Sequence, residues 1–293
     1  KAGEPHAEVN AINSVKDKSL LSKATIYVSL EPCSHFGKTP PCADLIVAHK
    51  IPNVVIGTVD SNEKVAGNGI KKLMEAGANV TIGVLEEECY QLNKRFFTFH
   101  NKKRPYIILK WAETADGFIA PKTKEEQKPV WITNKYSRQL VHKWRTEEQA
   151  ILVGTQTVLD DNPSLNARDI YGNNPARIVW DKSGKIDAIS HVKDNSIKTL
   201  ILTESNEFQS TENCIYESCK FDEDLIESTL SILVKHQIQS VIIEGGSQTI
   251  QSFIDKNLWD EARIFKGKNF FKNGVKAPIL SKNKSTKEQI LTV

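Results

Sequence analysis

The sequence predicts two α/β domains, each built on a largely parallel sheet, and three observations carry that reading. The 293 residues exceed what one hydrophobic core normally fills. Short β-branched runs alternate with amphipathic helical stretches through both halves. The polar stretch "NKKRP" (101–105), closed by Pro105, reads as a linker between them. The expected domains are residues 1–100 and 104–293.

In the first half, "ATIYVSL" (24–30), "NVVIGTV" (53–59) and "NVTIGVL" (79–85) are strand candidates bounded by turn residues. Helices are expected over 8–17, 43–50 and 68–77, the last closed by Gly77. A further helix covers "EEECYQLNKRFFTFH". The second half restarts the alternation with apolar runs at 106–112, 149–154, 176–181, 199–203 and 240–246, which suit buried strands. Helices are expected over 134–145, 222–236 and 247–257. "PKTKEEQKP" (121–129) reads as an exposed loop or hairpin tip.

Composition narrows the function classes. A net charge of +3, without a like-signed block, argues against a nucleic-acid partner. No run of about 18 apolar residues suggests a membrane span. Five cysteines, odd in number and unevenly spread, do not suit a secreted disulfide framework, so a reducing, cytoplasmic setting is expected.

The chemistry concentrates in "EPHAEVNAI" and "LEPCSHFGKTPPC". His6 opens a helix, Cys33 follows a strand, and Cys42 opens the next helix, where free N–H groups favour thiolate over thiol. One imidazole and two thiolates leave the fourth tetrahedral position of a zinc ion open, the arrangement of a catalytic site. Zinc lowers the pKa of a bound water to about 7. Glu8, two residues from His6, is placed to shuttle protons. The bland alternative, a capping histidine and two buried thiols, fits each residue singly. The ordered set is the zinc-deaminase pattern, here with a longer loop between its cysteines. Cys89, Cys214 and Cys219 lack partners at ligand spacing and read as structural.

The loop "PCSHFGKTPPC" resembles that of the riboflavin-pathway pyrimidine deaminases. The resemblance implies a phosphoribosyl-pyrimidine substrate contacted by His35 and Lys38, with Gly37 permitting the turn.

In the second half, "SVIIEGGSQTIQSFI" (240–254) is a strand, two glycines and a helix. Such a turn admits a close ligand backbone and offers N–H groups to a phosphate, although many α/β turns of this kind bind nothing. "ILKWAETADGFIA", "WITN", "HKWRTEEQAILVGTQTVLDDNPSLNAR" and "PARIVWD" resemble the reductase domain of the bifunctional riboflavin-biosynthesis deaminase/reductases. The resemblance runs from His6 to about Leu280. It implies a cytidine-deaminase-like domain followed by a dihydrofolate-reductase-like domain, with zinc and NADPH as cofactors. Ala112, Trp131, Thr157, Asp161, Gly246 and Ser247 would line the NADPH site. Arg145, Leu165, Arg168 and Glu244 would hold the substrate, the two arginines clamping its phosphate. Asp161 or Glu244 would protonate the opened sugar.

"AETADG" departs modestly from the "ASLDG"-like run of that family. The resemblance also implies some tens of residues ahead of His-Ala-Glu, which this sequence lacks, so a weak or inactive first site is one expectation. A reductase with a scaffold-like first half is therefore one alternative, and a nucleic-acid base deaminase is another. A homo-oligomer is expected.

Overall fold

The structure, a computed structural model, describes residues 4–37, 39–60, 66–123 and 126–280. The chain divides into two compact units, Lys1–Lys102 and Lys103–Val293.

In the first unit, α1 (Ala7–Ser14) and a 3₁₀ turn precede β1 (Thr25–Leu30). There follow α2 (Cys42–Ala48), β2 (Asn53–Thr58), α3 (Asn68–Glu75), β3 (Asn79–Ile82) and α4 (Glu86–Lys102). The strands form a parallel sheet in the order β1-β2-β3. Ile12, Ile46, Val54, Ile56, Ile70 and Leu73 fill its core, so each helix turns its apolar stripe onto the sheet. β3 ends earlier than its apolar run suggests. Gly83 takes φ +83° and donates its N–H to the Ile56 carbonyl, turning the chain towards α4. That helix runs to Lys102, through part of the expected linker. His100 and Lys102 lie in its last turn, where positive charge suits the helix dipole.

The second unit contains β4 (Tyr106–Glu113), β5 (Phe118–Pro121), α5 (Lys135–Glu147), β6 (Ala150–Gly154), α6 (Thr155–Asp161) and β7 (Ala176–Trp180). After a 3₁₀ turn come β8 (Thr199–Thr203), β9 (Cys214–Ser218), α7 (Leu225–Lys235), β10 (Ser240–Ile243), α8 (Ser247–Asp255), β11 (Glu261–Lys266) and β12 (Gly274–Lys276). Seven strands make one parallel sheet in the order β11-β4-β10-β6-β7-β8-β9, and β5 pairs with β12. The central strands β6, β8 and β10 are buried throughout, as strands covered on both faces must be. The edge strands β9 "CIYES" and β11 "EARIFK" are half exposed. Their mixed polarity lacks a continuous apolar run, so neither was expected from sequence. β5, β12 and α6 are too short to give a clear period.

The sheet order places β4 and β10, the first and a late strand, inside an otherwise sequential series. In open parallel sheets such a reversal leaves a crevice beyond the carboxyl ends of the strands, where ligands bind. The loops after β4, β6, β7 and β10 all emerge at that end.

Candidate functional sites

The first site is built at three element junctions. His6 is the N-cap of α1 with extended backbone (φ −66°, ψ 165°). Cys33 lies just beyond β1, and Cys42 is the first residue of α2. His6 Nδ1 lies 3.7 Å from Cys33 Sγ and 3.3 Å from Cys42 Sγ. The ligand atoms of all three fall within 4.8 Å of one another. The Cys42 backbone N–H donates to Cys33 Sγ at 3.3 Å. This bond and that from the Cys42 thiol hold the Cys33 pKa down to about 5, the thiol bond being the larger cause. Cys42 is pushed up, first by its bond to Cys33, then by burial and the nearby Glu8 carboxylate. A divalent cation takes both sulfurs as thiolates. One imidazole and two thiolates on one point fit zinc.

Glu8, in the first turn of α1, bears on Cys42 both as a charge and as a hydrogen-bond partner. His35 is exposed in the loop, with Nε2 4.0 Å from where a Cβ on Gly37 would lie. Gly37 is not among the residues with positive φ, so the turn does not require a glycine there, contrary to expectation. Lys38 lies outside the described residues.

Sequence reasoning missed the part that holds this loop. Glu31 is buried, and its Oε1 accepts from the N–H groups of Gly69 (2.9 Å) and Ile70 (3.3 Å). Its Oε2 accepts from Gly67 (3.0 Å) and Asp60 (3.3 Å). The carboxylate thus ties the end of β1 to the start of α3. Gly69 is obligatory there, since a Cβ would stand 2.1 Å from the Pro32 carbonyl oxygen. The only sequence signal was an acid beside Pro32.

The second site is a cavity of about 950 Å³ at the carboxyl ends of the central strands. Ala112, Trp131, Thr157, Asp161, Gly246 and Ser247 line it, together with Arg145, Leu165, Arg168 and Glu244. Gly245 has no room for a side chain, because a Cβ would meet the Thr249 side chain at 2.8 Å. Gly246 has room, its nearest neighbour being Thr157 Oγ1 at 3.7 Å.

At one end lies a buried charge cluster. Arg145 donates to Glu244 through Nε (3.4 Å) and Nη2 (2.8 Å), and through Nη1 to the Asn166 carbonyl (3.0 Å). Lys110 Nζ stands 3.7 Å from the same carboxylate. Burial alone would raise the Glu244 pKa, but Arg145 and then Lys110 outweigh it and hold it down to about 2. Burial in turn lowers that of Lys110. Arg145 and Lys110 favour the carboxylate form of Glu244, which suits it to accept hydrogen bonds. The guanidinium of Arg145 is held at the cavity wall by Glu244 and Asn166. Arg168 is exposed, lines the cavity and is engaged through Nη1 with Asn166 Oδ1 at 3.1 Å.

The loop carrying Leu165 and Arg168 is pinned from several sides. Arg177, almost fully buried in β7, donates to the Ser164 carbonyl (2.9 Å) and to Asp194 (2.7 Å). Asn174 accepts from the Ala167 N–H (2.8 Å). Asn162 and Leu165 both take left-handed backbone, at φ 40° and 51°, strain that surrounding contacts must sustain. Lys110, His142, Trp180 and Lys182 also line the cavity and were not singled out in the sequence.

A junction-built zinc site and a nucleotide-sized crevice in a doubly wound unit define a class, a metal-dependent deaminase joined to a nicotinamide-dependent reductase. Comparison with known proteins agrees. The family model "cytidine and deoxycytidylate deaminase zinc-binding region" matches residues 1–58, and "RibD C-terminal domain" matches 105–267. The riboflavin biosynthesis protein RibD of Aquifex aeolicus is 38% identical over 272 residues, covering 90% of this chain and 74% of the relative. That of Escherichia coli is 34% identical over 282 residues, covering 90% and 75%. A deaminase/reductase crystal structure from Thermotoga maritima matches with a TM-score of 0.84 at 38% identity, over 99% of this chain and 82% of that one. The chain belongs to the RibD family. It is a bifunctional enzyme of riboflavin biosynthesis, with zinc-dependent deaminase and NADPH-dependent reductase activities. The reductase family match speaks against a nucleic-acid base deaminase.

Proposed function

We propose that the first domain, residues 1–100, deaminates a diaminopyrimidinone ribosyl-phosphate, and that the second, residues 104–293, reduces the ribosyl group of the product to ribityl. The observation that supports this most is the convergence of His6, Cys33 and Cys42 within 4.8 Å, in a chain whose other unit holds a nucleotide-sized cavity. Zinc supplies an activated water and NADPH supplies hydride; the remaining work falls to side chains of this chain.

His6, Cys33 and Cys42 hold the metal. Glu8 takes a proton from the attacking water and delivers it to the ring nitrogen and the departing ammonia. His35 and Lys38 orient the substrate, Lys38 as a point cation for its phosphate. In the second domain, Ala112, Trp131, Thr157, Asp161, Gly246 and Ser247 receive NADPH. The ribose opens to an imine, which accepts hydride at C1′. Arg168 and Leu165 hold the substrate. Glu244, kept ionised by Arg145 and Lys110, accepts hydrogen bonds from its hydroxyls.

No helix among the described residues is long and apolar enough to cross a membrane. All five cysteines are free, which supports a reducing, cytoplasmic setting. A homo-oligomer is part of the proposal. Exposed Tyr27, Leu85 and Leu92 are apolar surface for it, and sedimentation of the full chain tests it.

The test of function is a mass spectrum of products from the diaminopyrimidinone ribosyl-phosphate supplied with zinc and NADPH. A deaminated, reduced ribityl product is expected. Turnover of the already deaminated intermediate alone would leave a working reductase with an inactive first domain.

A further inference from the structure

Helix α5 places Arg138, His142 and Arg145 on the cavity side, at the spacing that puts them on one helix face. His142 is buried, at 2% exposure. Its Nδ1 accepts from the backbone N–H of Arg168 at 3.2 Å, and its Nε2 stands 3.8 Å from Asp169 Oδ2. Arg138 Nε donates to that same oxygen at 2.6 Å, while its guanidinium lies 5.6 Å from the Trp131 ring centroid. A continuous chain of contacts therefore runs Trp131, Arg138, Asp169, His142, Arg168.

The backbone amide has only a proton to give, so Nδ1 must be the lone-pair nitrogen and Nε2 must carry the hydrogen, turned to Asp169. Three guanidinium groups crowd this corner, and a cationic ring would add to their repulsion. Burial first, then the charges of Arg145 and Arg168, keep the ring neutral, with its pKa lowered to about 4 against the opposing pull of Asp169 and Glu244. A neutral imidazole thus offers an acceptor without a charge, which neither a carboxylate nor an ammonium provides.

We propose that His142 is a positioning residue for the reductase reaction: by holding the Arg168 backbone through Nδ1 it fixes where that arginine enters the cavity and so sets affinity for the substrate phosphate. The proposal rests on the reading that Arg168 holds substrate.

The test uses the full chain with NADPH and the deaminated intermediate. Two variants separate the ring nitrogens, because Asn carries a carbonyl oxygen near the Nδ1 position and Gln near Nε2. His142→Gln leaves the Arg168 N–H unpaired and should raise KM for the intermediate about tenfold, the effect of one buried unsatisfied donor. The NADPH Kd, read by protein fluorescence, should not change. His142→Asn should bring KM most of the way back. Hydrogen exchange at the Arg168 amide should be fast in His142→Gln and slow in His142→Asn. Equal KM in wild type and His142→Gln, or equal loss in both variants with NADPH binding weakened in parallel, would overturn the tether. Arg168→Ala separates the two levels. A raised KM there with none in His142→Gln sinks the tether alone, and no effect in Arg168→Ala sinks both the tether and the reading beneath it.

Discussion

Replacing Glu31 with Gln changes one atom beside the zinc loop and should unseat it. The Glu31 carboxylate receives four backbone N–H groups, two on each oxygen. Gln keeps one oxygen and puts an NH₂ in place of the other. Whichever way the amide is turned, two backbone donors then face a donor. Hydrogen bonds to a charged acceptor are worth about 1.5–3 kcal/mol each, so losing two costs at least about 3 kcal/mol. For a unit of this size, 1 kcal/mol moves the melting midpoint by about 4–8 °C, and the first unit should melt more than about 12 °C lower. Scanning calorimetry of the full chain reads that transition, with the second unit's as an internal reference. Zinc content should fall as well, because Pro32 and Cys33 follow directly. Exchange at the Gly67, Gly69 and Ile70 amides should accelerate. A midpoint within a few degrees of wild type, with those amides still protected, would refute the argument that the carboxylate ties β1 to α3.

Glu8→Gln should abolish deamination while zinc remains bound at wild-type stoichiometry, since Glu8 is assigned to proton transfer; loss of metal would contradict that assignment. Cys42→Ser should remove zinc, checked by metal analysis after dialysis, and leave reduction of the deaminated intermediate intact. The second unit should lose stability in acid through Glu244. Its folded pKa of about 2 lies below the ordinary 4.5, so its contribution is complete at neutral pH. At about 1.4 kcal/mol per tenfold, that contribution is on the order of 3 kcal/mol. It begins to be lost as pH falls below about 4.5 and is gone near 2. Denaturant midpoints across that range should fall, and Glu244→Gln, less stable at neutral pH, should flatten that part of the profile.

The sequence by itself determined the alternation of strands and helices, because an apolar run covered on both faces and an amphipathic helical stripe are local patterns. It also singled out His6, Cys33 and Cys42, which the fold brings within 4.8 Å of one another, since each stands at an element boundary that the sequence marks. The edge strands β9 and β11 escaped notice because half-exposed backbone pairing needs no apolar signature. Tertiary structure alone decided how charges are matched. Nothing local pairs Arg145 with Glu244, 99 positions away, and that pairing sets the charge state of both groups. Nor does anything local reveal that Glu31 gathers amides from the start of α3, or that His142 faces the Arg168 backbone. A helix or strand follows from the polarity of near neighbours, whereas the protonation and partner of a buried polar group follow from whatever the fold brings against it.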